Sequence, residues 1–212
     1  AVPELFVADG HHRSAAAARL AATHPGAEAF LAVVFGGEEL AIMPYNRAVA
    51  DLAGRTPEQW LADLAGVVEI TPVTDAAAAA PTGRRELALY VAGRWYRLTL
   101  GEAAEALAEA ERLADPVASL DVSLLQDLVL APLLGITDPR SDTRIAFVGG
   151  VRGTDELERL VDSGRWAAAF ALYPTSVAEL VAVAGTGRDM PPKSTWFEPK
   201  LASGLVVHPF EG

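Results

Sequence analysis

Leu5-Phe6-Val7-Ala8-Asp9-Gly10-His11-His12-Arg13-Ser14 is the stretch on which the fold turns. Its apolar opening suits a strand, and Asp9-Gly10 is tight-turn chemistry. Ser14 to Thr23, rich in Ala, Leu and Arg, reads as a helix closed by Pro25-Gly26. Strand, turn and helix in direct succession put the chain in a class that interleaves the two kinds of element.

The rest of the chain extends that pattern. Ala29 to Phe35 and Glu39 to Met43, split by Gly36-Gly37, predict a β-hairpin whose second run ends at Pro44. Thr56-Pro57-Glu58-Gln59 carries an N-cap, a proline at the first helical position and a capping-box glutamine, so a helix runs to about Ala65. Val67 to Val73 suits a strand, and the alanines of Ala76 to Gly83 read as a surface connection rather than a core element. Glu86 to Val91 and Trp95 to Leu100 alternate apolar with polar across Ala92-Gly93-Arg94, a second hairpin. Helices are expected over Ala103 to Leu113, and from a cap at Ser119 or Asp121 through to Leu134. After the turn of Gly135 to Arg140 come a strand (Arg144 to Val148), a helix (Thr154 to Val161), a strand (Ala168 to Tyr173) and a helix (Ser176 to Ala184). The tail, Trp196 to Pro209, alternates short extended pieces with prolines and a glycine. There is no repeat of fixed period. The expected class is α/β, with α+β as the alternative, built on a mixed sheet with hairpins early and strand–helix units late.

Composition narrows the function. The 212 residues carry 17 Lys+Arg against 28 Asp+Glu, a net charge of −11, which argues against tracking a nucleic-acid backbone but leaves room for a small anion in a local pocket. With 51% apolar and 21% charged residues the chain has globular composition. No apolar run reaches the ~18–20 residues of a membrane span, and no signal peptide opens the sequence, so a cytoplasmic protein is expected. Zero cysteines removes disulfides, thiolate catalysis and cysteine-ligated metals. The first residue is Ala1, and a strand-like run follows almost at once, as in a piece of a longer protein.

Asp9-Gly10-His11-His12-Arg13 is the densest polar cluster, placed where the unpaired amides of a helix start face an anion. Gly10 allows close approach of the backbone, Arg13 can clamp two oxygens, and His11 or His12 can donate a hydrogen bond or shuttle a proton. Asp9 would orient a histidine, hold Mg²⁺ or accept a hydroxyl proton. The plainer reading is that Asp9 caps the helix and the histidines are surface turn residues. Zinc is disfavoured, since adjacent side chains diverge and His24 and His208 lack ligand spacing; no metal site is assigned.

The second cluster is Met190-Pro191-Pro192-Lys193-Ser194-Thr195. Basic residues are 15 Arg and only 2 Lys, yet both lysines, Lys193 and Lys200, fall in this tail, as though a compact point charge were required. Lys193 and Ser194 are therefore candidate phosphate contacts, against the alternative of a proline-stiffened loop. Lys-Ser-Thr ends a P-loop, but prolines rather than a glycine-rich run precede it, which excludes a Walker site. In Tyr45-Asn46-Arg47, Arg47 could reach a ligand, although a surface salt bridge is the simpler account. Asp121 reads first as a helix cap, and Asp138-Pro139-Arg140 as a turn. Trp196 and Phe197 could stack a base or sugar, or pack the tail.

Together these motifs resemble the C-terminal half of a widespread prokaryotic family classed as a domain of unknown function. The resemblance rests on Ala8 to Arg13 (A-D-G-H-H-R), on Met190 to Leu205 (M-P-P-K-S-T-W-F and its continuation), and on Ser123-Leu124-Leu125 through Leu130 to Ile136. Members are about twice this length, which implies a missing N-terminal half. The D-G-H-H-R turn is in turn similar to the phosphate-binding turn of the ParB, sulfiredoxin and free-serine kinase superfamily. That likeness implies a ParB/sulfiredoxin-like strand–turn–helix over residues 1–75, followed by a family-specific α/β portion over 86–212. It implies phosphate contacts from Gly10, His11, His12 and Arg13, and an acidic role for Asp9 of the kinase type. Sulfiredoxin's cysteine has no counterpart here, and neither ParB's DNA reader nor its basic surface is evident, so the kinase-like reading survives.

The expectation is an enzyme that binds ATP or another nucleoside triphosphate with Mg²⁺ and transfers phosphate to a small hydroxylated metabolite. Asp9 and His12 would be its catalytic groups; Gly10, His11, His12, Arg13, Arg47, Lys193 and Ser194 would hold the phosphates. The rivals are a module that senses a nucleotide or metabolite without turnover, and a purely structural domain. Partners would be a small molecule and the N-terminal half, with no nucleic acid and no membrane.

Overall fold

The computed structural model describes residues 5–101, 105–106, 109–110, 115–200, 202 and 204–209. The chain forms two compact units, Ala1–Ala41 with Phe197–Gly212, and Ile42–Trp196. The first unit contains helix α1 (His11–Ala21). The second is organised by a seven-stranded sheet in the order β2-β4-β3-β6-β1-β5, with β7 pairing β1. The strands are β1 (Ala41–Val49), β2 (Val68–Val73), β3 (Glu86–Val91), β4 (Arg94–Leu100), β5 (Ile145–Gly149), β6 (Ala168–Leu172) and β7 (Thr195–Glu198).

The sheet is antiparallel, not mixed. The late strand–helix units do run β5, helix α6 (Gly153–Asp162), β6, the order that usually makes a parallel pair. Here β1 lies between them: Val49 faces Ile145 of β5 on one side and Ala168 of β6 on the other. The crossover is therefore split, and each parallel neighbour is replaced by an antiparallel one. The β3–β4 hairpin forms as expected, with Val91 opposite Arg94 across Ala92-Gly93. Both loop residues have positive φ, 51° and 74°, the backbone that matches the twist of a two-residue hairpin.

Helix α2 (Pro57–Leu64) starts as the sequence predicts: Thr56 Oγ1 accepts from the Gln59 N–H, and Gln59 Oε1 accepts from the Thr56 N–H. Ser176 and Glu179 make the same reciprocal box at helix α7 (Val177–Gly185). Other expectations fail. Leu5 to Ala8 form no strand among the described residues. The hairpin over 29–43 is absent: Ala29 to Phe35 are irregular and mostly exposed, and a 3₁₀ turn at Gly37–Glu39 leads straight into one long β1. Pro44 lies inside that strand rather than ending it, packed so closely against Gly150 that a Cβ there would stand 2.7 Å from the proline Cδ. The alanine segment is no mere connection: Asp75 caps a single turn, α3 (Ala76–Ala79), and Ala79 is buried. The helix expected over 103–113 lies largely outside the described residues.

Two apolar layers cover the sheet. One face buries Leu87, Leu89, Val91 and Phe170 against Trp60 and Leu64 of α2. The same layer takes in a helical stretch made of α4 (Asp121–Leu125), a π-helical turn (Gln126–Leu130) and α5 (Ala131–Leu134). Phe170 meets Trp60 edge-on at 6.0 Å, and burying a side chain of that size contributes roughly 1.5–3 kcal/mol. The other face is small: Ala48, Ala88, Ala169 and Ala171 form a shallow floor onto which Leu157 and Val161 of α6 pack. Strand β6 (Ala-Ala-Phe-Ala-Leu) is buried throughout because both of its faces are covered.

Candidate functional site

The turn at Asp9–Arg13 belongs to the first unit. Gly10 is the N-cap of α1 at φ 82°, ψ 27°, a left-handed conformation that glycine adopts without a Cβ clash. No side chain caps the helix, and its first turn holds no acidic residue. The Ser14 N–H donates to the Gly10 carbonyl at 2.9 Å, so the amides of His11, His12 and Arg13 precede the helical ladder. His11, His12 and Arg13 are exposed. A Cβ on Gly10 would stand 3.1 Å from both Nε and Nη2 of Arg13, which means that the guanidinium lies against the glycine. The Lys200 ammonium stands 3.5 Å from Asp9 Oδ2 and offsets the repulsion that this carboxylate would exert on an incoming anion. Helix dipole, free amides, guanidinium and ammonium all favour negative charge here. Sequence reasoning had not joined Lys200 to this turn; the clustering of both lysines in the tail was the available signal.

The second unit brings Arg47, Lys193 and Ser194 together. Arg47 is not a surface salt-bridge residue. It is buried on β1, where Nη1 donates to the carbonyls of Tyr45 (2.8 Å) and Asn46 (3.4 Å) and Nη2 to that of Lys193 (3.0 Å). Phe147 covers its guanidinium at 4.5 Å, and burial brings its pKa down to about 9. Lys193 adopts φ 54° and places its ammonium 5.4 Å from the centre of the Tyr45 ring. The Ser194 hydroxyl is spent on the loop, donating to the Pro191 carbonyl at 2.6 Å. Trp196 packs against Tyr45 with ring centres 5.5 Å apart.

Asp121 does not cap α4. It binds Arg85, whose Nη1 donates to Oδ1 at 2.9 Å and whose backbone N–H donates to Oδ2 at 3.1 Å. Burial pushes the Asp121 carboxyl up, and Arg85 works against that rise. Asp138-Pro139-Arg140 is a turn, with Asp138 accepting from the Arg140 N–H and the Ser141 hydroxyl. Among the described residues no group of three or more His, Asp or Glu could hold a metal ion, and no helix is long and apolar enough to cross a membrane.

No curated protein matches the chain. Among solved structures it is similar to a free serine kinase in complex with AMP, at 16% identity over 93% of this chain and 70% of that one, with a TM-score of 0.45. A mutant of free serine kinase in complex with ADP gives 16% identity over the same shares and a TM-score of 0.44. A conserved hypothetical protein from Pyrococcus furiosus gives 14%, over 93% and 72%, with 0.43. The family described as protein of unknown function DUF1015 matches residues 1–123, from before the Asp9–Arg13 turn into α4. Since that span exceeds half of its 212 residues, the chain belongs to the DUF1015 family.

Proposed function

We propose that this chain grips the phosphates of a nucleoside triphosphate at the Asp9–Arg13 turn and passes a phosphoryl group to a small hydroxylated metabolite. The observation that supports the reading is the uncapped start of α1, where Gly10 is left-handed and the Arg13 guanidinium lies against it. Free amides and a guanidinium fork are the donors a phosphate needs, and the resemblance of D-G-H-H-R to the phosphate-binding turn of the ParB, sulfiredoxin and free-serine kinase superfamily points the same way.

In the transfer, the acceptor's hydroxyl oxygen forms a bond to the γ-phosphorus while the bond from that phosphorus to the β–γ bridging oxygen breaks. The nucleoside diphosphate leaves with the electron pair, and the hydroxyl proton goes to Asp9 or His12. The main-chain amides after Gly10, together with Arg13 and His11, take up the charge on the phosphate oxygens. Among the described residues Asp9 belongs to no cluster of three or more possible metal ligands, which fits a Mg²⁺ ion that arrives on the phosphates and keeps most of its waters, but not a protein-built metal cage. When bound, that ion would screen the negative charge of the phosphates.

A sensing module without turnover is the second reading, favoured by the ammonium of Lys200 3.5 Å from Asp9 Oδ2, which engages the carboxylate that transfer would use. Thermal unfolding of the full chain with excess ATP, CTP and GTP tests binding: a rise in melting temperature that Arg13→Ala abolishes is expected, and an unchanged curve with all three would end the proposal. Labelled γ-phosphate, incubated with a pool of hydroxyl compounds, then separates transfer from sensing.

A further inference from the structure

Phe30-Leu31-Ala32-Val33-Val34-Phe35 is an uncharged run of strand-forming residues that has no strand to pair with among the described residues. Its backbone is irregular, and among the described residues none of its N–H or carbonyl groups takes part in a main-chain hydrogen bond. Phe30 is 57% exposed, Leu31 and Val33 51%, and Val34 64%. Consecutive apolar residues with no polar alternate suit a strand covered on both faces, and here both faces are open.

The unit that carries this run is short of buried surface. Of the large apolar side chains that are exposed among the described residues, all but Val151, Val177 and Val181 belong to this first unit, in the runs Leu5–Val7, Phe30–Val34 and Leu205–Val207. Among its described residues Ala27 and Phe197 alone are buried. Helix α1 buries none of its 11 residues, and a helix of that length without tertiary packing is marginal in water. Apolar surface of this extent marks a contact surface. At about 100 Å² for each exposed side chain, the three runs match the roughly 800 Å² that each partner gives to a standard interface.

The order of the side chains indicates the partner. When the run is laid antiparallel against an identical one, with the two-fold axis between Ala32 and Val33, Phe30 faces Phe35, Leu31 faces Val34 and Ala32 faces Val33. Aromatic meets aromatic at both ends, a favourable cross-strand pair, and the flanking charges stay apart: Glu28 falls opposite Gly37, and Glu38 opposite Ala27. The chain's charge of −11 repels a second copy in general, but none of it lies in this run.

We infer that this surface joins two copies of the chain, which pair their Phe30–Phe35 runs antiparallel. A two-stranded ribbon holds in water only under an apolar cover, and Leu5–Val7 and Leu205–Val207 of the same unit are the uncharged surface that supplies it. The association involves the first unit alone and needs neither nucleotide nor phosphoryl transfer.

The test is sedimentation velocity of the full chain, without nucleotide, from micromolar to submillimolar concentration. A discrete, reversible species of twice the chain mass is expected. Val33→Asp sets a carboxylate beside the axis and should raise the dimer dissociation constant by about tenfold or more. Val33 is exposed, so the variant should keep the wild-type circular dichroism. Val177→Asp, at an exposed position of the second unit, should leave the dimer unchanged. The chain has no cysteine, so cross-linking can read the register: Leu31→Cys combined with Val34→Cys should give a disulfide-linked dimer on oxidation by air, and Leu31→Cys alone should not. A chain that stays monomeric throughout, an open-ended series of aggregates in place of a dimer, a dimer that Val33→Asp leaves intact, or equal cross-linking of the single and double cysteine variants overturns the inference.

Discussion

Arg47 Nη2 donates to the main-chain carbonyl of Lys193 at 3.0 Å, joining β1 to a loop 146 positions further along the chain. Lys193 sits at φ 54°, a backbone state that costs a residue with a side chain about 1–3 kcal/mol and persists only where the surroundings enforce it. The arginine fork and the Ser194 hydroxyl bond to Pro191 are what enforce it here. Arg47→Lys keeps the charge and loses the fork, so it is expected to destabilise the protein by about 1–3 kcal/mol, read as a lower urea midpoint.

Asp121 gives a sharper separation between two structural roles. Loss of a capping side chain costs about 1 kcal/mol, whereas breaking a buried ion pair leaves a stranded charge and costs about 3–5 kcal/mol. Asp121 meets Arg85 at two atoms, and both side chains are about nine-tenths buried. Asp121→Ala should therefore fall in the larger range in equilibrium unfolding. A loss near 1 kcal/mol would return Asp121 to the role of a cap.

These two residues also show what could be read from the chain and what could not. Elements whose signals are local were legible: the Thr56–Gln59 box, the helix after Ser176 and the β3–β4 hairpin depend on residues within a few positions of one another. Elements decided by distant partners were not. Pro44 looks like a strand end until Gly150 is found against it, and the run Leu5 to Ala8 has a strand's composition but no strand assignment in the structure. The antiparallel sheet escaped prediction because nothing local tells β1 to insert between β5 and β6. At the candidate sites, the Asp9–Arg13 cluster was visible as a motif. The partnership of Asp9 with Lys200 and the burial of Arg47 depend on residues far apart in the chain and arise only on folding.

Tyr90 supplies a pH prediction. Its hydroxyl donates to Asp162 Oδ1 at 2.9 Å, and burial first, then that bond and the charges of Asp162 and Glu158, push its pKa up to about 12. The unfolded phenol ionises near 10, so Tyr90's contribution is whole below pH 10 and is lost as pH rises toward 12. Two pKa units correspond to roughly 2–3 kcal/mol. Unfolding free energy should fall across that window in the wild type and fall less in Tyr90→Phe, while tyrosinate absorbance of the folded protein should lose one late-titrating group in the variant.

The β3–β4 loop can be improved. Ala92 occupies φ 51° and Gly93 φ 74°; the first is strained by its Cβ, and the second has open space around it. Ala92→Gly is expected to stabilise by up to about 1 kcal/mol, and Gly93→Ala to destabilise by a similar amount, both measured as shifts in urea midpoint.

The Asp9–Arg13 turn is best tested by separating helix start from anion site. Gly10→Ala places a methyl in a left-handed backbone and 3.1 Å from two nitrogens of Arg13, so the strain costs about 1 kcal/mol and the guanidinium must move by a few tenths of an ångström. Arg13→Lys leaves the backbone alone and removes the two-pronged donor, leaving a single charged point. If the turn holds phosphate, both variants should weaken nucleotide binding, Arg13→Lys by about tenfold with no change in melting temperature, Gly10→Ala with a small drop in it. If the turn merely begins α1, Gly10→Ala still lowers the melting temperature and neither variant alters nucleotide affinity, because a helix start needs the glycine's backbone and has no use for the arginine's fork.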